Sequence, residues 1–270
     1  MGARKKNQTL TSNFYKGDFI IMFTTENCKV FVSHDNSKTG IDSFNLLAGD
    51  VRQMYNGATP KTENALETYA SRGIIPEDCT GTCGQNCPGC YAKRMTRYTM
   101  TFVHAAENTF FVKLDPAAAV HALEAAIYAD GNAPELFRVH DTGDFMIDVD
   151  DNGQPGEKSF VYFSEMCEMM KRHPETHFGA YTKCNALVYR YGVDNFPVNF
   201  SLQCSPWAGV SEPIADLPQF IYDDGSNPEI SALPHCPAVD CHGHRTGIQC
   251  KTCGYCYHAK RGGRRAVYAH

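Results

Sequence analysis

The unit that decides the fold begins with the sequence "ELFRVHDTGD" (residues 135–144), a mainly apolar run that ends in a polar turn. A stretch with apolar residues near helical spacing follows, "SFVYFSEMCEMMKRH" (159–173), and after it a second strand-like run, "HFGAYTK" (177–183). Strands that alternate with helices in this way are typical of parallel βαβ units. The sequence therefore predicts an α/β fold, either as an α/β sheet or as a partial barrel.

The alternation continues in both directions along the chain. Toward the C-terminus, "NALVYRYG" (185–192) indicates a short helix and "VNFSLQCS" (198–205) another strand. Toward the N-terminus, the pair Asp115-Pro116 predicts the start of a helix, because Asp is a preferred N-cap and Pro is tolerated at the first helical position. The pattern over residues 91–114 predicts a helix at its beginning and leaves the remainder open. "DFIIMFTT" (18–25), "KVFVS" (29–33) and "DSFNLL" (42–47) indicate short strands.

Composition limits the class of protein. The chain has 270 residues and a formal net charge of -5, which argues against a broad nucleic-acid-binding face. It has no apolar run of the ~18 residues that a membrane helix needs, and its basic start leads into no apolar signal segment. We predict a cytoplasmic protein with a barrel over residues 1–225 and a cysteine-rich C-terminal extension over residues 226–270. Regular structure is expected to thin out after residue 205, with "RRAVYAH" (264–270) as a last strand.

Nine of the thirteen cysteines lie in two groups, and clustered thiols in a reducing compartment more often bind metal than form disulfides. The first group lies in "CTGTCGQNCPGCY" (79–91), where Cys83, Cys87 and Cys90 have the spacing C-x-x-x-C-x-x-C. Three thiolates at this spacing can hold a 4Fe-4S cluster whose fourth iron stays open. Cys79 either closes the site as a fourth ligand or replaces Cys83. Structural zinc is the alternative metal.

The second group contains "CKTCGYC" (250–256), a C-x-x-C-x-x-C run. Such runs resemble bacterial ferredoxin ligand sets, in which a tight loop supplies three cysteines and a distant position supplies the fourth. We predict a second 4Fe-4S cluster on Cys250, Cys253 and Cys256, with Cys236 as the fourth ligand and Cys241 in reserve. The alternative is a zinc knuckle that uses Cys236, Cys241, Cys250 and Cys253 or recruits His242 or His244.

Polar residues follow two of the predicted strands, where ligands bind in parallel α/β proteins. We predict catalytic roles for His140, Asp144 and Lys183, and cofactor binding by Asp141, Thr142, Gly143, Asp144 and Tyr181. Structural alternatives exist for three of these residues. Asp144 can cap the next helix, His140 can be a histidine with ordinary hydrogen bonds in the core, and Lys183 can be a surface lysine.

The spacing of the first cysteine group resembles the signature of radical SAM enzymes. In that superfamily three cysteines on the loop after the first barrel strand hold the cluster, and the open iron chelates S-adenosylmethionine. Here "DSFNLL" (42–47) corresponds to that strand, and Thr142-Gly143-Asp144 to the glycine-rich acidic turn that holds the amino group of the methionine moiety. The sequence departs from the pattern at Gly89, where an aromatic residue often precedes the last cysteine.

Several motifs together resemble the phage gene product 88 family: "NSKTGIDSFNLLAG" (36–49), "CPGCYAKR" (87–94), "FRVHDTGDF" (137–145), "HFGAYTK" and the closing cysteine run. The family looks like a divergent, compact relative of radical SAM proteins, so the resemblance implies a partial (β/α) barrel of the radical SAM type. It implies no particular reaction. The presence of both Cys79 and Cys83 departs from the family pattern.

These features favour an enzyme that cleaves S-adenosylmethionine and acts on an unknown small-molecule or macromolecular substrate. It would receive electrons from a reductant such as flavodoxin or ferredoxin. One rival is a metal-stabilised, non-catalytic binding module that contacts nucleic acid or a partner protein. The other is a two-cluster electron carrier, which Cys79 would favour if it closes the first site.

Overall fold

The computed structural model describes residues 28–34, 39–48, 82–83, 92, 98–131, 133–206, 212–242, 244–259 and 262–268. Within these ranges no helix is long and apolar enough to cross a membrane. The strand predicted over residues 18–25 lies outside the described residues, as do Cys79, Cys87 and Cys90.

A seven-stranded sheet organises the described part of the chain, and neighbouring strands follow one another in sequence order. β1 is antiparallel to β2, and each later pair of neighbours is parallel. Within the described residues β1 and β7 do not pair, so the sheet is open. The predicted α/β fold with a parallel sheet is confirmed. The strands are β1 (Val32–Ser33), β2 (Asp42–Phe44), β3 (Leu136–Val139), β4 (His177–Thr182), β5 (Phe200–Cys204), β6 (Gln219–Asp223) and β7 (Arg264–Tyr268).

Helices occupy most of the connections between the parallel strands. As predicted, Asp115 begins the second helix: its Oδ1 accepts a hydrogen bond from the Ala118 backbone N–H at 3.0 Å, and Pro116 follows it. The first helix covers residues 99–114 of the stretch 91–114, and most of the beginning, where the helix was predicted, lies outside the described residues. The α-helices are α1 (Thr99–Leu114), α2 (Pro116–Ile127), α3 (Glu157–Arg172), α4 (Asn185–Tyr191), α5 (Pro228–Ser231) and α6 (Cys250–Cys253), with 3-10 turns at Val193–Asn195 and Tyr255–Tyr257.

The two faces of the sheet are covered by different parts of the chain. On one face, Phe137 of β3 and Phe178 of β4 belong to the main apolar core, together with residues of α2 and α3. On the other face, Leu136 packs in a smaller cluster with Tyr257 of the C-terminal segment. All four residues of β3 are therefore buried, and they include Arg138. In a strand that is covered on both faces, the sequence is a nearly continuous apolar run and does not alternate between apolar and polar residues.

The C-terminal segment is joined to the sheet. β6 lies in a region where the sequence predicted little regular structure, and it pairs in parallel with β7 along its whole length. The predicted last strand at residues 264–270 is confirmed as β7. His235 forms a further bridge to Ala266 of β7. The predicted boundary at residue 225 thus follows β6, and the segment after it contributes the next strand of the same sheet.

Candidate metal centre

Four cysteines of the C-terminal segment line one recess. It lies on the face of the sheet opposite helices α1 to α4. The recess is small, with a cavity volume of about 20 Å³, and it is partly open to solvent. We call it the cysteine recess, and it is lined by Cys236, Pro237, Ala238, Cys250, Cys253, Tyr255, Cys256, Tyr257 and Arg265. The structure therefore brings together the four thiols that the sequence predicted as one ligand set. Cys241, the predicted reserve ligand, is exposed.

The local sequence explains how three thiols reach the recess from one short stretch. Cys250 and Cys253 lie at the two ends of α6, which is a single helical turn. Gly254 ends that turn with a left-handed φ of 64°, and its backbone N–H donates to the Cys250 carbonyl at 2.7 Å. Glycine adopts this conformation without the steric cost of a Cβ atom. The following 3-10 turn brings Cys256 back toward the same recess.

The fourth thiol arrives from a separate segment beside β7. The backbone N–H of Cys236 donates to the Ala266 carbonyl at 2.8 Å. The preceding residue is also fixed, since His235 Nε2 lies 2.8 Å from Asp223 Oδ2 and its ring stacks on Tyr268 at 3.8 Å between centroids. The position of Cys236 thus depends on the pairing of β6 with β7.

Three contacts hold the α6 segment against the sheet. The Lys251 backbone N–H donates to the Thr39 carbonyl at 3.0 Å. Gln203 Nε2 of β5 donates to the Cys256 carbonyl at 3.0 Å. The Tyr257 ring packs on Gly179 of β4, where a Cβ atom would lie 2.8 Å from Cε1 of the ring. Gly179 is therefore the residue that allows this segment to lie close to the sheet.

Hydrogen-bond donors and positive charge surround the four thiols. The Tyr181 hydroxyl donates to Cys256 Sγ at 2.8 Å, and Arg265 Nη1 lies 3.9 Å from Cys253 Sγ. Burial raises the pKa of the Cys250 thiol to about 11, while the positive charge of Arg138 acts in the opposite direction. Burial likewise raises the pKa of Cys236, and Arg265 opposes the shift. A bound metal would have to offset this desolvation in order to hold thiolates.

The donor set fits a thiophilic metal group. The recess presents four cysteine sulfurs and neither a histidine nor a carboxylate among its lining residues. Soft thiolate donors of this kind suit iron–sulfur clusters and zinc. Among the described residues, however, no set of three or more His, Cys, Asp or Glu side chains is arranged so that it could hold a metal ion.

The chain directly before Cys83 lies at the carboxyl edge of the sheet. Of the four cysteines of the first group the structure describes Cys83, and the preceding residue, Thr82, is tightly bound. The Thr82 backbone N–H donates to the Leu47 carbonyl at 2.9 Å, just after β2, and the Thr82 carbonyl accepts from Met146 N–H at 2.9 Å, just after β3. Thr82 Oγ1 also accepts from the Asp144 N–H at 2.8 Å. This part of the cysteine loop therefore lies beside the polar turn that follows β3.

Asp144 ties the ends of β3 and β4 together. Its side chain accepts hydrogen bonds from the Phe145 N–H at 2.7 Å, the Thr182 hydroxyl at 2.8 Å and the Lys183 N–H at 2.8 Å. Only 3% of Asp144 is exposed. Burial raises the pKa of Asp144, and the backbone bonds from Lys183 and Phe145 oppose this. The alternative that Asp144 caps the next helix is wrong, because the N-cap of α3 is Gly156.

The residues between β3 and Asp144 connect this turn to the end of β2. Asn45 Oδ1 accepts from the Asp141 N–H at 2.8 Å and the Thr142 N–H at 3.3 Å. Thr142 Oγ1 donates to the Leu46 carbonyl at 2.9 Å. Gly143 has a φ of 93°, and a Cβ atom there would lie 2.7 Å from Leu46 Cβ and 2.8 Å from Thr82 Oγ1. The structure thus places Thr142 and Gly143 where strand ends are joined.

His140 lies in the apolar core on the helix-covered face, away from the cysteine recess. Its φ of 60° is the one positive value among the described residues other than glycine, and it ends the strand alternation after Val139. Its Nε2 lies 2.8 Å from the Tyr162 hydroxyl, and Nδ1 has no hydrogen-bond partner within the described part of the chain. Burial lowers the pKa of His140 to about 3, with a further contribution from Arg138, so the ring is neutral.

Apart from His140, the predicted catalytic and cofactor-binding residues divide between two places. Tyr181 belongs to the cysteine recess through its bond to Cys256. Asp144 and the Lys183 backbone belong to the carboxyl edge of the sheet, near Cys83, and Lys183 Nζ donates to Ser205 Oγ at 3.2 Å at the end of β5.

Comparison with known proteins decides the family. The model of the Gene product 88 family matches residues 48–259, which is more than half of the chain and includes both cysteine groups and the turn after β3. The chain belongs to the Gene product 88 family. Neither a curated protein nor a solved structure matches it.

In this Gene product 88 chain, sequence reasoning missed four residues that build the two places, and it had singled out Gln203 only as a weaker candidate at the end of its strand. Arg138 and Arg265 are charged residues inside strands, and a charge in an otherwise apolar run was a signal that could have been used. Thr82 and Asn45 had no comparable signal, since their roles depend on contacts between segments distant in sequence.

Proposed function

We propose that this Gene product 88 protein is an iron–sulfur enzyme of the radical SAM type. The observation that carries the proposal is the convergence of Cys236, Cys250, Cys253 and Cys256 on one recess. In this proposal they hold a 4Fe-4S cluster. A second cluster lies on Cys83, Cys87 and Cys90, with Cys79 as an alternative ligand, and binds S-adenosylmethionine.

The ligand count favours different roles for the two clusters. Four protein thiolates around the cysteine recess would cap every iron of a 4Fe-4S cluster, which suits electron transfer better than the binding of a substrate. Donors directed at two of the sulfurs, from Tyr181 and Arg265, are of the kind that adjust cluster potentials. The C-terminal cluster would therefore relay electrons from a flavodoxin or ferredoxin.

The order of the strands supports the proposal that the sheet is a partial barrel of the radical SAM type. Six parallel strands, β2 to β7, follow one another in sequence order, as they do in singly wound barrels. Thr82 lies at the carboxyl ends of β2 and β3, the edge where such proteins bind ligands, and its position directly before Cys83 supports the proposal.

The chain's own residues would supply binding and orientation. The chemistry that the N-terminal cluster supplies when bound is the one-electron reductive cleavage of S-adenosylmethionine. Lys183, at the end of β4, would meet the carboxylate of the cofactor or the substrate. Asp144 would hold the turn against Thr82 through its hydrogen bonds, and thereby fix the loop that carries the cysteines.

Anaerobic purification followed by iron, sulfide and zinc analysis tests the proposal. We expect about eight irons per chain, as two four-iron clusters require, and cleavage of S-adenosylmethionine in the presence of dithionite. Cys236→Ala should lose roughly half of the iron, whereas Cys241→Ala, the matched control at an exposed thiol, should keep all of it. Cys87→Ala should abolish cleavage while the C-terminal iron remains.

Other outcomes would identify the rivals. Zinc without iron in the wild-type chain would contradict the proposal and favour the metal-stabilised binding module. Two clusters without cleavage of S-adenosylmethionine would favour the electron carrier. Cleavage that persists unchanged in Cys87→Ala would remove the N-terminal thiols from the reaction.

A further inference from the structure

The side chain of Tyr181 in β4 contacts a cysteine of the C-terminal segment, which is distant in sequence. The strand alternation directs Phe178 and Ala180 into the helix-covered core and leaves Gly179 and Tyr181 on the opposite face. There the Tyr181 hydroxyl donates to Cys256 Sγ at 2.8 Å, which is short for a hydrogen bond to sulfur. The contact joins a rigid central strand to one thiol of the cysteine recess.

The surroundings of Tyr181 strengthen its hydroxyl as a donor. The Arg138 guanidinium lies over the Tyr181 ring, 4.4 Å from its centroid, and Phe220 of β6 packs against the same ring at 4.9 Å. A cation above a phenol ring withdraws electron density from it and makes the O–H a better donor. The two neighbours also hold the ring in place, so that the hydroxyl stays directed at sulfur.

We infer that Tyr181 sets the reduction potential of the C-terminal cluster, an inference that rests on the proposed function. A cysteine sulfur bound to iron has no proton, so the tyrosine hydroxyl is the donor in this pair. A hydrogen bond to a ligating sulfur draws negative charge from the cluster and stabilises the state that carries one more electron. Tyr181 is a positioning residue in this role, since it acts on the metal group through Cys256.

The test is the midpoint potential of the C-terminal cluster with and without the hydroxyl. Cys87→Ala serves as the parent, so that the C-terminal cluster gives the signal, and Tyr181→Phe is added to it. Because the hydrogen bond is stronger in the reduced state, its loss should lower the ratio of reduced to oxidised cluster at the parent's midpoint by several-fold to about tenfold. A tenfold fall corresponds to a downward shift of ~59 mV for one electron.

The chain offers a matched control in Tyr255, which lines the same recess. Its ring lies beneath Arg265, 3.6 Å from the guanidinium carbon, and among the described residues its hydroxyl is bonded to no sulfur. Tyr255→Phe therefore removes the same atom from the same recess. We expect the midpoint potential of this variant to equal that of the parent, as measured by redox titration with electron paramagnetic resonance detection.

The outcomes separate the inference from the proposed function. Full iron content with an unchanged midpoint in Tyr181→Phe would overturn the inference and leave the proposed function intact. A parent without iron would overturn the proposed function itself. Loss of iron in Tyr181→Phe alone, with iron retained in Tyr255→Phe, would mean that Tyr181 holds the cluster in place, and this too would overturn its role in setting the potential.

Discussion

At the scale of single residues, Gly143 is the point where the first cysteine loop meets the sheet. Its left-handed φ of 93° turns the chain after β3, and the absence of a side chain leaves room for Thr82 Oγ1 and Leu46. Because Cys83 directly follows Thr82, this close approach also determines where the backbone of Cys83 lies. Backbone geometry is therefore sufficient to explain the glycine in the turn.

Gly143→Ala should destabilise the protein by roughly 2–4 kcal/mol, because left-handed backbone and overpacking each cost an L residue about 1–2 kcal/mol or more. Gly153→Ala is the matched control: its φ is 72°, and a Cβ atom there would have no neighbour within 4 Å. We expect it to cost only about 1 kcal/mol. Urea unfolding of both variants measures the difference, and equal losses would show that the contact with Thr82 contributes nothing.

At the scale of secondary structure, Asp115 separates two consecutive helices of the helical layer. It is the last residue before α2 and accepts from the Ala118 N–H, while its own backbone N–H closes the end of α1 on the Phe111 carbonyl at 3.0 Å. α2 then packs its buried side, including Leu123, toward the core. A single residue thus ends one helix and begins the next.

Asp115→Ala should lower the free energy of unfolding by about 1 kcal/mol, the usual cost of losing an N-cap. Asp115→Asn keeps an acceptor oxygen in the same place and should stay within a few tenths of a kcal/mol of the wild type. Thermal unfolding followed by circular dichroism compares the two variants. An alanine variant as stable as the asparagine variant would show that the Ala118 N–H finds another acceptor.

At the scale of the whole molecule, the C-terminal segment acts as a layer of the fold. It covers one face of the sheet through Tyr257, contacts β5 through Gln203, and supplies β7 beside β6. Helices α1 to α4 cover the other face. A metal group in the cysteine recess would consequently link segments that the sheet itself also joins.

If the cysteine recess holds the proposed metal group, removal of that group should lower the melting temperature of the whole sheet. A ligand at a thousandfold excess over its Kd adds about 4 kcal/mol, and each kcal/mol shifts the melting temperature by roughly 2–4 °C in a chain of this size. We expect a decrease on the order of 10 °C in the far-ultraviolet circular dichroism transition. In a Cys236→Ala chain, chelation should have a smaller effect. A local change with no shift of the main transition would contradict this view.

Much of the fold followed from local patterns in the sequence. The alternation of apolar runs and helical stretches predicted β3, α3, β4, α4 and β5, because each element depends mainly on its own residues. β6 was missed, since its run is short and lies among prolines and aspartates. The second half of residues 91–114 has no clear helical pattern in the sequence, because its apolar residues occupy more than one side of α1.

The sequence alone determined the family, the βα alternation and the two cysteine groups, since these are patterns of spacing between neighbouring residues. Only the tertiary structure decided that Cys236 joins Cys250, Cys253 and Cys256, and that Cys241 stays exposed. The same holds for the contact of the Tyr181 hydroxyl with Cys256. The physical reason is that pairing between distant strands places these groups together, and no local spacing encodes which face of a sheet a distant loop will cover.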